Sequence, residues 1–261
     1  MITSHQKYPV AALTALALGI GAAPAATLLS TNLQSHAAGS ATAASLNAVT
    51  TGGTWGFNTG GNRTQTIVDD GVGSTTGDRA LLFDDADTTG NNGTINFGSI
   101  SLNTAASFAT DAVTLTTSTA LRRTGGSKTY TYQFEGTGAT VGATITWTGG
   151  AQETVSFNGG TPVNTGPLFL GAWDEESTRV MDITAVFSGG NVTLSWGNIS
   201  SGEISVLNSV TDLKNLRLAH GGTDPGPRGI FIDEILVTQV PEPSSSMLGG
   251  LCALLLLRRR R

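Results

Sequence analysis

Cysteine is almost absent from this 261-residue chain. The single one, Cys252, lies in an apolar run near the C-terminus. The rest of the chain therefore has no disulfide, no cysteine nucleophile and no cysteine-based metal site, so its stability must come from its core. Histidine is scarce as well, and between residues 38 and 239 it occurs only as His220. That donor set argues against zinc or copper. No Gly-x-Ser-x-Gly elbow occurs, and a lone His before Gly-Gly reads as a loop residue rather than a base, so nucleophilic catalysis has little support. Lysine supplies only 3 of the 14 basic residues, and charged residues are only 13% of the chain. Residues 38–239 hold nine basic and eighteen acidic side chains, a net charge of −9 that argues against a nucleic-acid or anionic-membrane surface.

The chain is rich in Gly, Thr, Ser and Asn, the composition of a secreted β-protein. Apolar or β-branched residues alternate with polar ones in short runs: Thr94–Phe97, Ala112–Thr119, Lys128–Phe134, Ala143–Thr148, Thr154–Phe157, Val180–Phe187, Asn191–Trp196, Arg217–Ala219 and Gly229–Val237. Gly- and Asn-rich turns separate them, among them Gly90–Gly93, Gly149-Gly150, Asn158–Gly160 and Gly189–Asn191. This spacing, almost without helical period, predicts an all-β fold over residues 38–239: an antiparallel β-sandwich or barrel in one domain. Ser209–Leu216 is the best candidate for a helical turn, or else an edge strand. No repeat of 20–50 residues is evident, which argues against a solenoid.

The two ends have different chemistry. Residues 1–37 begin weakly basic at His5 and Lys7, continue through the apolar stretch Val10–Ala23, and end in small residues at Ala23-Pro24-Ala25 and again at Ser35-His36-Ala37. That is a secretory signal peptide with cleavage near 25 or near 37. At the other end, Met247–Leu257 is eleven residues without a charge. As a short apolar helix it would rise about 16 Å against a hydrocarbon core of roughly 30 Å. Arg258, Arg259, Arg260 and Arg261 follow at once and would hold that end on the cytoplasmic side. Pro241 and Pro243 make Val240–Ser244 an extended, exposed hinge. On physics alone, residues 240–261 are a weak membrane anchor or a buried helix with a basic end.

Taken in order, Val240-Pro241-Glu242-Pro243-Ser244, a short apolar segment and a terminal arginine cluster closely resemble the PEP-CTERM sorting signal of Gram-negative bacteria. The resemblance implies export through the secretory translocon and signal peptidase, and transient retention in the inner membrane by the arginine end. Recognition of Pro241, Glu242 and Pro243 by an exosortase, an integral-membrane processing enzyme, would follow, with release to the cell surface or the extracellular matrix. The middle of the chain is similar to the concanavalin-like jelly rolls common among such proteins, with an early WGFNTG turn, then RALLFDD, and IFIDEILV as a closing strand before the signal. That architecture hosts sugar binding, hydrolysis and scaffolding alike, so it leaves activity open.

Hydrolysis of a glycosidic bond needs two positioned carboxyl groups. Asp174 and Glu176, beside Trp173, would share one face of a strand and are the pair with usable geometry. The Glu-x-Asp-x-(x)-Glu strand of concanavalin-like glycosidases is missing, so the domain reads as a non-enzymatic structural, adhesive or polysaccharide-binding module, with a glycan hydrolase as the alternative. Asp85-Ala86-Asp87-Thr88-Thr89-Gly90-Asn91 places oxygen ligands at alternate positions around a glycine turn in a way that suits structural calcium, though no distal Glu completes an EF-hand. Asp233, inside the last apolar strand, is a further calcium candidate by analogy with jelly-roll modules. Trp55, Trp147, Trp173 and Trp196 could stack on sugars, but tryptophans on strands are mostly core.

Overall fold

The computed structural model describes residues 24–58, 63–69, 79–85, 95–123, 128–149, 153–166, 181–206, 209–222 and 228–241. The expected signal segment before Pro24 and the apolar, arginine-ended tail after Pro241 lie outside these residues.

Seventeen strands follow one another among the described residues. They are β1 (Ala26–Thr31), β2 (Gly39–Ser40), β3 (Thr50–Thr51), β4 (Gly53–Phe57), β5 (Arg63–Asp69), β6 (Arg79–Asp85), β7 (Ile95–Ser107), β8 (Asp111–Arg123) and β9 (Lys128–Glu135). After them come β10 (Ala143–Gly149), β11 (Thr154–Phe157), β12 (Val163–Asn164), β13 (Met181–Ser188), β14 (Asn191–Trp196), β15 (Ile199–Ser205), β16 (Asp212–Gly222) and β17 (Arg228–Pro241). Besides a 3-10 turn at Leu33–Ser35, the short helix α1 (Ala43–Asn47) starts at a capping box: Ser45 N–H donates to Thr42 Oγ1, and Thr42 N–H to Ser45 Oγ.

The strands form two antiparallel sheets, one of ten strands and one of seven. The larger runs β15-β14-β13-β8-β17-β6-β5-β2, with β1 added on β17 and β3 on β1. The smaller runs β12-β11-β10-β9-β16-β7-β4. Alternation explains why they stack. In β9, Lys128, Tyr130, Tyr132 and Phe134 are buried while Thr129, Thr131 and Gln133 stay half-buried; β10 repeats the pattern with Ala143, Ile145 and Trp147 inside and three threonines outside. The inner faces meet through Tyr132 against Trp196 at 5.7 Å, Phe134 against Phe187 at 6.1 Å and Phe108 against Phe187 at 5.1 Å. One polar bridge crosses this core. Thr119 Oγ1 donates to the Phe231 carbonyl at 2.8 Å, which leaves Tyr132 Oη to donate to Thr119 at 2.6 Å. Burial pushes the Tyr132 phenol well above its usual pKa, so it stays a donor.

Two expectations change. Ser209–Leu216 is mostly strand: Asp212–Gly222 is β16, paired on both sides within the seven-stranded sheet. His220 is not in a loop; it lies in β16, fully buried, with its ring 4.5 Å from that of Phe97.

Candidate functional site

Among the described residues, chemistry gathers at three places: the outer face of each sheet, and the end where β1 and β17 meet.

On the seven-stranded sheet, the register sets polar residues side by side. Gly56, Ser99, Arg217, Gln133 and Thr144 form one row across β4, β7, β16, β9 and β10. Thr54, Ser101, Asn215 and Glu135 form the next. Thr131 and Thr146 pair further along, and Thr146 faces Ser156 of β11. Arg217 lies on this face, and its Nη2 lies 3.2 Å from Glu135 Oε1. Glu135 is only 3% exposed because Arg217 and Asn215 cover it, and Asn215 Nδ2 donates to its Oε2 at 3.4 Å. Burial raises the Glu135 carboxyl pKa, and the Arg217 charge and the Asn215 hydrogen bond pull it back down in part. Beside this pair an open depression of about 300 Å3 is lined by Gly56, Phe57, Asn58, Asn96, Gly98, Ser99 and Arg217. The sequence reading missed Glu135 and Arg217. The signal for them was the period-2 placement of Glu135 on the Thr129–Gln133 face.

On the ten-stranded sheet, a shallow groove of about 360 Å3 collects Asp182, Asp233 and Glu234 around Ser118. The bulge between Ile232 and Ile235 of β17 leaves Asp233 and Glu234 opposite Ser118, which is paired in turn with Asp182. Ser118 Oγ donates to Asp182 Oδ1 at 2.6 Å. The rest of the lining is Thr, Ile and Leu, with no aromatic platform. Among the described residues no three His, Cys, Asp or Glu side chains stand together as a metal site.

The calcium candidates Asp85 and Asp233 stand at separate places in the ten-stranded sheet. Asp85 is paired with Arg228, five residues before Asp233 on the same strand, a separation of about 17 Å. Asp87 lies outside the described residues, as do Trp173, Asp174 and Glu176 and the sorting residues Glu242 and Pro243. Trp55, Trp147 and Trp196 are core residues, at 3%, 0% and 0% exposure.

The third place is the end of β17. This strand continues beyond its last core residue, Val237, with Val240 opposite Ala112 and Pro241 opposite Asp111. Val240 is exposed, as expected, but Val240 and Pro241 belong to the ladder rather than to a hinge. A proline is tolerated there because β1 begins at Ala26, opposite Gln239, and leaves that edge of Pro241 without a neighbouring strand.

No curated protein matches the chain. Among solved structures, the chain is similar to the alginate lyase AlgAT5 from polysaccharide lyase family 7, at 12% identity over 70% of this chain and 84% of that one, with a TM-score of 0.46. It is also similar to the marine PL7 alginate lyase AlyA1 from Zobellia galactanivorans, at 10% identity over 66% and 82%, TM-score 0.45. A third similarity is to the CBM2 module of the Lactobacillus casei BL23 phage J-1 evolved Dit, at 10% identity over 84% and 97%, TM-score 0.49. Residues 239–261 match the family model of the PEP-CTERM protein-sorting motif. The match starts inside β17, at Gln239, and runs through the last arginine. The chain therefore carries a PEP-CTERM protein-sorting motif directly behind its closing strand, and that signal implies an exported protein handled by the secretion machinery and an exosortase.

Proposed function

We propose that this is a cell-surface or extracellular-matrix protein whose sandwich is a non-catalytic structural or adhesive module. It contacts extracellular polysaccharide through the outer face of the seven-stranded sheet. The observation that carries this reading is the row Gly56–Ser99–Arg217–Gln133–Thr144 with its neighbours. The hydroxyls of Ser99 and Thr144, the Gln133 amide and the Arg217 guanidinium offer hydrogen-bonding groups at the strand spacing of about 4.8 Å, across a pleated face that a sugar chain can lie on. Arg217 is ion-paired with Glu135 at 3.2 Å and is partly exposed, so its N–H groups can donate to a sugar hydroxyl or carboxylate. With short side chains and few deep contacts, affinity per site is weak, and retention depends on many copies along one polymer.

Affinity electrophoresis through gels containing exopolysaccharide of the producing strain tests this. Retardation of the exported protein should fall at least severalfold in Arg217→Ala/Gln133→Ala, and stay unchanged in Asp182→Ala on the other sheet. Equal retardation of all three proteins overturns the assigned face. The hydrolase reading is tested in the same gels. Asp174→Asn/Glu176→Gln should leave both retardation and polymer length unchanged, whereas polymer shortened by the wild type and spared by this variant would make the protein an enzyme.

Processing is tested separately. The mature C-terminus, read by mass spectrometry, should fall near Pro241–Ser244 in the wild type, and Glu242→Ala should abolish that cut. An intact Arg261 in both proteins sinks exosortase cleavage and leaves a plain tail anchor.

A further inference from the structure

The first strand bears on where the mature chain begins. The sequence offers signal-peptide cleavage after Ala25 or after Ala37, and residues 26–37 are built into the sandwich. β1 pairs with β17 from Ala26↔Gln239 to Ser30↔Leu236, and with β3 through Ser30↔Thr51 and Thr31↔Thr50. Leu29 and Leu33 sit in the main core at 0% and 1% exposure. Gly52, at φ +75°, lies so close to β1 that a Cβ there would meet the Leu28 carbonyl at 1.9 Å. Thr31, 2% exposed, accepts the backbone N–H of Ile235 on its Oγ1 at 2.8 Å, so it satisfies a donor at the β17 bulge. Beyond β1, the Arg79 guanidinium donates to the Gln34 and His36 carbonyls, and the Gln34 amide exchanges two hydrogen bonds with the Arg79 backbone.

A cut after Ala37 would discard all of this. Two fully buried leucines would go, and β17 would lose one of its two neighbours, β1, from Leu236 to Gln239. The Ile235 N–H would lose its acceptor in the interior. A cut after Ala25 discards none of it. Pro24 and Ala25 are exposed and precede the strand, and Ala23 and Ala25 supply the small residues at the third and first positions before the bond.

We propose that signal peptidase hydrolyses the Ala25–Ala26 peptide bond, and that the strand it releases is a clamp on β17, the strand that leads into the sorting motif. Water adds across the amide, giving a carboxylate on Ala25 and an α-ammonium on Ala26. The new N-terminus then lies beside Gln239, two residues from Pro241, so both processed ends of the mature chain leave the sandwich on neighbouring strands. The two maturation cuts thus fall at one edge of the domain. Export alone is required for this, whatever the sandwich binds.

The test uses the full chain expressed in a Gram-negative host, with the N-terminus of the exported protein sequenced. Ala26 as the first residue is expected; Ala38 as the first residue, or an unprocessed Met1, overturns the cleavage. The clamp is read independently. Thr31→Val should keep the Ala26 N-terminus and lower Tm by roughly 3–10 °C, with Thr31→Ser restoring most of the loss. Fusing the signal segment directly to Ala38 should abolish recovery of folded exported protein. Wild-type Tm in Thr31→Val, or normal yield and Tm from the Ala38 fusion, overturns the clamp.

Discussion

Glu135 carries its carboxyl on the outer face of the seven-stranded sheet and is nevertheless shielded from water by Arg217 and Asn215. Desolvation wins over those two partners and raises its pKa above the ordinary 4.5. The folded state therefore holds this proton more tightly than the unfolded chain does. The stability Glu135 contributes is present in full below the unfolded-state value of 4.5, and is lost as the pH rises through the raised folded value. Glu135→Gln removes that titration while keeping an acceptor for Arg217. The difference in Tm between wild type and Glu135→Gln, followed from about pH 4 to pH 8, should shift in favour of the variant as the pH climbs through this window. A difference that stays constant with pH would mean that Glu135 titrates alike in the folded and unfolded chains.

Strands were legible wherever alternation was unbroken, as in β9, β10, β13 and β14. They were misread where a bulge changed the period. In β16 a bulge between Leu213 and Asn215 lets Leu213 and Leu216, three apart, both face the core, and that spacing imitates a helix. The same device in β17 puts Ile232 and Ile235 inside and pushes Asp233 and Glu234 out together, which alternation alone could not place. The polar face of the seven-stranded sheet was hidden for another reason: its rows are made by pairing across five strands, and no local pattern reports which strands are neighbours. Strand geometry also bears on calcium. Asp85 on β6 pairs with Arg228, five residues before Asp233 on β17, so the two are separate candidates and cannot share one ion. Among the described residues Asp233 belongs to no group of three His, Cys, Asp or Glu side chains that could hold a metal, so calcium titrations followed by thermal unfolding should give the same Tm shift, whatever its size, in wild type and Asp233→Asn. A shift lost in the variant would put an ion on the β17 bulge.

At the scale of the whole molecule, the sorting motif and the sandwich share residues. The motif match begins at Gln239, and Gln239 is still structural: its Nε2 donates to the Ser107 carbonyl at 3.1 Å and to Asp111 Oδ2 at 2.8 Å, and its backbone is paired with both Ala26 and Val113. Pro241 closes the ladder against Asp111. An exosortase cutting near Pro241–Ser244, as proposed, would work directly beside β17, and the position of its cut has consequences for the product. A stop after Pro241 keeps every β17 pairing, so the secreted chain should melt within a degree or two of the naturally processed protein. A stop after Val237 keeps the last core side chain but removes the pairs at Thr238–Pro241 and both Gln239 hydrogen bonds, two to three net interactions of about 1 kcal/mol each. Its Tm should fall by roughly 4–10 °C, and the N-terminal strand, having lost its partners for Ala26 and Thr27, should be cut first in limited proteolysis. Equal melting of the two truncated chains would show that β17 ends energetically at Val237, leaving residues 238–241 to serve the motif alone.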